Sequence, residues 1–284
     1  MWPIKQESDN TELRMPLEDH GSNVLVTGGN RGLGLGLAAA FAERGDRVWV
    51  TSRSSAPEAE TRGIRVITGV DLSDDASFSE LSRELGSVPL DVLVCNAGIN
   101  LDDPGLDGVD LDNVARVFNV NVLGSIRTVL ALLTQMREGG KIMLIGSMGL
   151  LPLGILKTPP ISNYGYRMSK AALVSFGHAL GYELLPRGIA VAIVSPGAVD
   201  TDMLRTVATR AGALEAAQSS ARDIFEAGRV LRERMDHLTL AQSPAYDRDP
   251  EGNPALPDYL REQLLAINSV QAAQAGKLAA SGPH

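Results

Sequence analysis

Tyr166 and Lys170 lie four residues apart in Tyr-Gly-Tyr-Arg-Met-Ser-Lys, from Tyr164 to Lys170. A helix-like pattern continues through Ala171, Ala172, Leu173 and Phe176. Helical residues i and i+4 share a face, so a phenol and an ammonium would point the same way. A nearby positive charge favours the phenolate. It would lower a tyrosine pKa from about 10 toward a range useful for proton transfer. Tyr164 is a rival phenol, but its i+4 partner is Met168, so it lacks the ammonium. Taken alone, the spacing reads more simply as a surface Tyr and Lys on an amphipathic helix. The rest of the chain must supply the context.

The first piece of context is Thr27-Gly28-Gly29-Asn30-Arg31-Gly32-Leu33-Gly34. A short apolar run, Asn23 to Thr27, precedes it and predicts a buried strand. A helical run through Leu37, Ala38, Ala40 and Phe41 follows. Strand, glycine turn and helix start together make a phosphate site. Glycines admit close backbone approach, and the helix N-terminus offers free N–H groups. The spacing is Gly-x-x-x-Gly-x-Gly rather than Gly-x-Gly-x-x-Gly. A bare glycine turn is the alternative, and the flanking elements favour a dinucleotide loop.

A second strand is predicted over Arg47 to Thr51. In a nucleotide fold its end lies near the adenosine ribose, where a carboxylate would bind the 2′-hydroxyl of NAD. This chain has Ser52 and Arg53 there, and Arg31 inside the glycine loop. Guanidiniums without a carboxylate suit a 2′-phosphate, which points to NADP(H) in preference to NAD(H). Either arginine could instead be a solvated surface charge.

The elements that must position these groups alternate along the chain. Further strands are predicted at Arg65 to Val70, Leu90 to Val94, Lys141 to Ile145 and Ile189 to Val194. Helices are predicted from a Ser73 N-cap through Leu85, around Leu111 to Met136, and from Tyr166 to about Leu185. Residues 150–163 hold Pro152, Pro159 and Pro160 and cannot be one long helix. Alternation of this kind implies an α/β fold with a doubly wound, Rossmann-like parallel sheet. Beyond Met203 the pattern degrades. Ala211 to Met235 reads as helix, 243–257 as a proline-rich loop, Tyr259 to Ala275 as helix again, and the tail after Gly276 as disordered.

Composition limits the function classes. The 284 residues carry a net charge of −8, which disfavours a general nucleic-acid binder. Cys95 is the only cysteine, so an internal disulfide or Cys-rich metal site is excluded. His20, His178, His237 and His284 lack ligand spacing, and no metal is expected. No uninterrupted apolar run reaches the roughly 18 residues that span a bilayer, and the N-terminus has no signal-like stretch. The expectation is a cytoplasmic protein with no membrane partner.

Taken in order, these motifs resemble the short-chain dehydrogenase/reductase family, of the compact classical kind, over residues 22–204. Thr27, Gly28, Gly32 and Gly34 are similar to its glycine loop, with Asn30, Arg31 and Leu33 inside it. Asp71-Leu72 resembles the pair that contacts adenine. Asn96-Ala97-Gly98 resembles the turn that supports the central strand and the cofactor. Asn121 matches the catalytic asparagine, Ser147 the catalytic serine, and Tyr166 with Lys170 the Tyr-x-x-x-Lys motif. Pro196, Gly197, Val199 and Thr201 match the segment that grips the nicotinamide carboxamide. Arg31 and Arg53 stand where NADP-preferring members often carry basic residues.

The resemblance implies hydride transfer between NADPH and a small carbonyl or alcohol substrate. Tyr166 would be the acid/base, Ser147 would hold the carbonyl oxygen, and Lys170 would lower the Tyr166 pKa and hold the nicotinamide ribose. Asn121 would hold a water that resupplies the proton. Two alternatives remain on the same scaffold: a redox-neutral isomerase or dehydratase, and a non-catalytic NADP sensor. A homodimer through the helices holding Phe118 and Phe176 is expected, with a tetramer open. Two departures stand out. Ser147 and Tyr166 are 19 positions apart, wider than in many relatives; Ser162 and Ser169 fit the serine role less well. After residue 204 the usual closing strand is not evident, Ala266 to Val270 being the one weak candidate. The sheet therefore reads as six-stranded. Residues 1–21 read as an arm and 205–284 as a substrate lid and helical extension.

Overall fold

The computed structural model describes residues 21–101, 105–147 and 163–248, with side chains through 245. The expected arm at 1–20, most of the 150–163 insert with Ser162, the 259–275 helix, the 266–270 strand and the tail lie outside the described residues.

Seven strands run parallel in the order β3-β2-β1-β4-β5-β6-β7. They are β1 Asn23–Thr27, β2 Arg47–Thr51, β3 Arg65–Ile67, β4 Leu90–Cys95, β5 Met136–Ile145, β6 Ala190–Ser195 and β7 Ala245–Arg248. β1 and β6 are buried along their whole length, which is why they read as unbroken apolar runs rather than alternating ones.

Helices cover both faces. α1 (Gly32–Glu43), the short α2 (Pro57–Glu60) and α9 (Ile224–His237) lie on one side. α3 (Ala76–Leu85), α5 (Gly124–Leu132) and α6 (Tyr164–Leu184) lie on the other. Side chains alternate between the two cores. Val24, Val26, Val94 and Met143 meet Leu37, Phe41 and Leu231 on the first side. Leu25, Leu93, Ile142 and Leu144 meet Leu81, Leu132 and Leu180 on the second. α1 and α9 cross at contact distance because neither has a side chain at the crossing. A Cβ on Gly36 would fall 1.9 Å from the Ile224 carbonyl oxygen, and one on Gly228 2.1 Å from that of Gly36.

The sequence expectation fails at four places. The sheet has a seventh strand, inside the segment read as a proline-rich loop. β7 extends β6, with Ala192 opposite Ala245, and Pro244 just before it packs where Gly181 leaves room on α6. A four-residue, half-polar edge strand between prolines gives little periodic signal. The helix predicted to Met136 ends at Leu132, and β5 begins at Met136, with a register shift against β4 near Leu90 and Val92. Ser73 does not cap α3; its hydroxyl donates to Asp71 instead, and Asp74 accepts from the Ala76 N–H. The single helix read over 211–235 is two, α8 (Leu214–Ser220) and α9, following α7 (Asp202–Arg210).

α4 (Leu111–Phe118) runs through a π-helical turn, Asn119–Leu123, into α5. This continuous run is long and apolar enough by composition to cross a membrane. Here it packs against α6 and α3 as part of one helical layer.

Candidate active site

The carboxyl ends of β1 and β4 diverge where the sheet order reverses, which is where open α/β sheets bind ligands. The two ends are laced together. The Thr27 hydroxyl accepts from the Asn96 and Ala97 N–H groups at 3.0 and 3.1 Å. Asn96 Nδ2 donates to the Thr27 carbonyl at 2.9 Å. This packs the Asn96-Ala97-Gly98 turn onto the glycine loop. Gly28 has φ +66°, and a Cβ there would meet the Ala97 side chain at 2.9 Å. On Gly34 it would strike Asn96 Nδ2 at 2.5 Å. Arg31 precedes α1 without any side-chain cap, so the first N–H groups of a twelve-residue helix are left for a ligand.

A groove of about 1000 Å³ starts at this loop. Asn30, Arg31, Gly32 and Leu33 line it, with Ser52, Arg53, Asp71 and Leu72 at one end and Ser147, Tyr166 and Lys170 at the other. Pro196, Gly197, Val199 and Thr201 form the wall between. Thr201 also caps α7 by accepting from the Leu204 N–H at 3.3 Å. The catalytic and cofactor-binding candidates line this one surface, except Asn121 and the buried Thr27.

At the β2 end, the Asp71 carboxylate accepts from the Ser73 hydroxyl at 2.7 Å and its N–H at 2.9 Å. These bonds, with the Arg53 charge nearby, hold it below the usual carboxylate range. Arg31 reaches across the groove to Asp202 at 2.8 Å. Both side chains are more than 60% exposed (69% and 65%), so the pair is weak, of order 1 kcal/mol or less.

At the other end, Tyr166 and Ser147 line the groove together, and the Ser147 hydroxyl acts on the phenol. Burial pushes the Tyr166 phenol above its ordinary value, and the nearby Ser147 hydroxyl offsets this only in part. The expected lowering of the Tyr166 pKa is therefore not what the protein alone produces. Lys170 explains why. Its Nζ lies 5.7 Å from the centre of the Tyr166 ring and donates to the Ile145 carbonyl at 2.6 Å. Burial also pulls Lys170 down to about 8, which thins its charge just above neutral pH.

Asn121 is fully buried in the π-helical turn. Its side chain accepts from the Ile99 N–H at 2.8 Å and donates to the Ile99 carbonyl and the Ser169 hydroxyl, both at 3.0 Å. Its carbonyl accepts from the Ser125 hydroxyl at 2.8 Å. The geometry gives Asn121 a hold on the strand-end loop rather than a place on the groove wall. Ser169, set aside as a catalytic candidate, supports that hold. Ile99 and Asn119 also line the groove and were not singled out, while Ser52 and Ser73, read as a strand-end residue and an N-cap, line it as well. An isolated apolar residue carries no spacing signal, though Asn119 lies two residues before Asn121. Tyr164 is an exposed surface phenol.

Fold and site define a dinucleotide-binding α/β protein whose groove ends at a serine and a tyrosine beside a buried lysine. Residues 22–212 match the family model described as short chain dehydrogenase. The chain is 34% identical over 198 residues to the 3-oxoacyl-[acyl-carrier-protein] reductase MabA of Mycobacterium avium, covering 68% of this chain and 74% of that protein. The Pseudomonas aeruginosa RhlG/NADP active-site complex superposes with a TM-score of 0.70 at 27% identity, over 84% of this chain and 97% of that one. The 3-oxoacyl-[acyl-carrier protein] reductase of Brucella melitensis in complex with NAD gives 0.67 at 25%, over 81% and 95%. The protein belongs to the short-chain dehydrogenase/reductase family and is an oxidoreductase of that family.

Proposed function

We propose that the protein is an NADPH-dependent oxidoreductase that interconverts a carbonyl and an alcohol on a small organic substrate. The observation that carries this reading is that Ser147, Tyr166 and Lys170 converge at the far end of the groove that opens at the glycine loop. The glycine cradle and the free start of α1 fit a pyrophosphate. A bound nicotinamide supplies or accepts the hydride. Tyr166 gives its phenolic proton to the carbonyl oxygen in the reductive direction and takes it back in the other. Its raised pKa keeps that proton in place near neutral pH. Ser147 orients the oxygen by hydrogen bond. In this reading the Lys170 ammonium holds ribose hydroxyls of the bound cofactor and favours the phenolate once the proton has left. Asn121 fixes the Ile99 loop that frames the substrate.

NADPH is preferred over NADH in this account because the two residues that follow β2 are Ser52 and Arg53, a hydroxyl and a guanidinium in place of a carboxylate. A cytoplasmic homodimer is the proposed setting.

The test is NADPH oxidation across a panel of ketones and aldehydes, with product analysis. Alcohol formed in step with NADPH lost supports the reading. A redox-neutral product without NADPH loss would replace it with an isomerase or dehydratase on the same scaffold.

A further inference from the structure

Arg127, on α5, was not singled out by any motif and does not line the groove. It nonetheless sits under the groove's β3 end. Its Nη1 donates to the Asn119 side-chain oxygen at 2.9 Å and to the Asn119 and Leu72 carbonyls at 3.4 Å. Its Nε pairs with Asp75. Asn119 in turn donates from Nδ2 to the Ser73 carbonyl at 3.3 Å. The contact is tight because α5 begins at a glycine. A Cβ on Gly124 would lie 2.8 Å from Leu72 Cβ and 2.9 Å from the Leu72 carbonyl oxygen.

One half-buried guanidinium thus grips the loop Asp71–Asp75 from below and ties it to the π-helical turn that carries Asn121. Leu72 and Ser73 face the groove, while their backbone carbonyls are held from behind, that of Leu72 by Arg127 and that of Ser73 by Asn119. Such a loop has little regular structure of its own. A charged, forked donor that reaches several acceptors at once fixes it in one geometry.

We propose that Arg127 is a positioning residue for the adenosine end of the cofactor groove, setting the Asp71–Ser73 wall against which that half of the dinucleotide packs. The proposal rests on the reading that the groove takes NADP(H). It makes the adenosine half, and not the nicotinamide half, sensitive to a residue that touches neither.

Calorimetric titration with NADPH, with 2′,5′-ADP and with reduced nicotinamide mononucleotide tests this. Arg127→Met should raise the Kd for NADPH and for 2′,5′-ADP about tenfold, the loss expected for a hydrogen-bonded charge. The mononucleotide should bind as it does to the wild type. Arg127→Lys should recover part of the loss. Asp75→Asn, at a carboxylate that is 83% exposed, should give a smaller loss in the same direction and decides the matter if the Met variant does not fold. Kd values for 2′,5′-ADP within twofold of wild type would overturn the assignment, as would equal losses for both halves. A wild-type protein that binds none of the three would overturn the cofactor reading itself, and this assignment with it.

Discussion

Arg53 and Arg31 read alike in the sequence, and the structure separates them. Arg31 already has a carboxylate partner in Asp202, across the groove. Arg53 stands at the end of β2 beside Asp71, whose carboxylate is largely satisfied by Ser73. Arg53 is therefore the stronger candidate for a 2′-phosphate. Arg53→Ala should weaken NADPH binding about tenfold or more, the loss of a charge-assisted bond, and leave NADH nearly unchanged. Equal losses in a paired titration would refute the assignment. The Tyr166–Lys170 pair shows what spacing can and cannot say. Four residues on a helix bring the two groups together, as the sequence implied. The sign of the Tyr166 shift depends on burial and on where Lys170 Nζ points, and neither is written in the interval. The Asn121–Ser169 bond was equally illegible, because it joins two helices far apart in sequence.

Among the elements, strands β1, β2, β4 and β6 were readable because burial on both faces leaves continuous apolar runs. The glycine loop was readable because each small residue answers a steric demand, with Gly28 against Ala97 and Gly34 against Asn96. β7 was not, since an edge strand of four residues needs only β6 to pair with. α9 was expected as part of a charged, lid-like region. Its buried side is Ala227, Gly228, Leu231 and Met235, which packs on α1, the helix that starts at the glycine loop. The charges form ties at its end: Arg44 and Arg232 both pair with Asp236, and Lys141 caps the helix by donating to the Met235 and Asp236 carbonyls. Gly228 lets α9 approach this closely. Gly228→Ala should overpack the crossing and cost about 2 kcal/mol or more, lowering the Tm by several degrees. An unchanged thermal unfolding midpoint would contradict the contact distance seen between α1 and α9.

At the scale of the molecule, several large apolar side chains stay exposed among the described residues of one helical layer. Leu111 and Leu130 are 75% and 68% exposed, and Leu123 and Met168 nearly half so. They lie on the α4–α5 run and on α6, the helices that also hold half-buried Phe118 and Phe176. Covering such a surface favours a homodimer. Light scattering should return about twice the 30.1 kDa chain mass, and Leu130→Glu should shift it toward the monomer. A monomeric wild type would remove the dimer from the account. The central claim is narrower and concerns one proton. Tyr166→Phe keeps the ring and deletes the phenol. Measured against wild type on a substrate found in the carbonyl panel, it should lose at least about 10²-fold in kcat, with the Kd for NADPH within a few-fold. A variant that turns over at the wild-type rate would show that Tyr166 is not the acid.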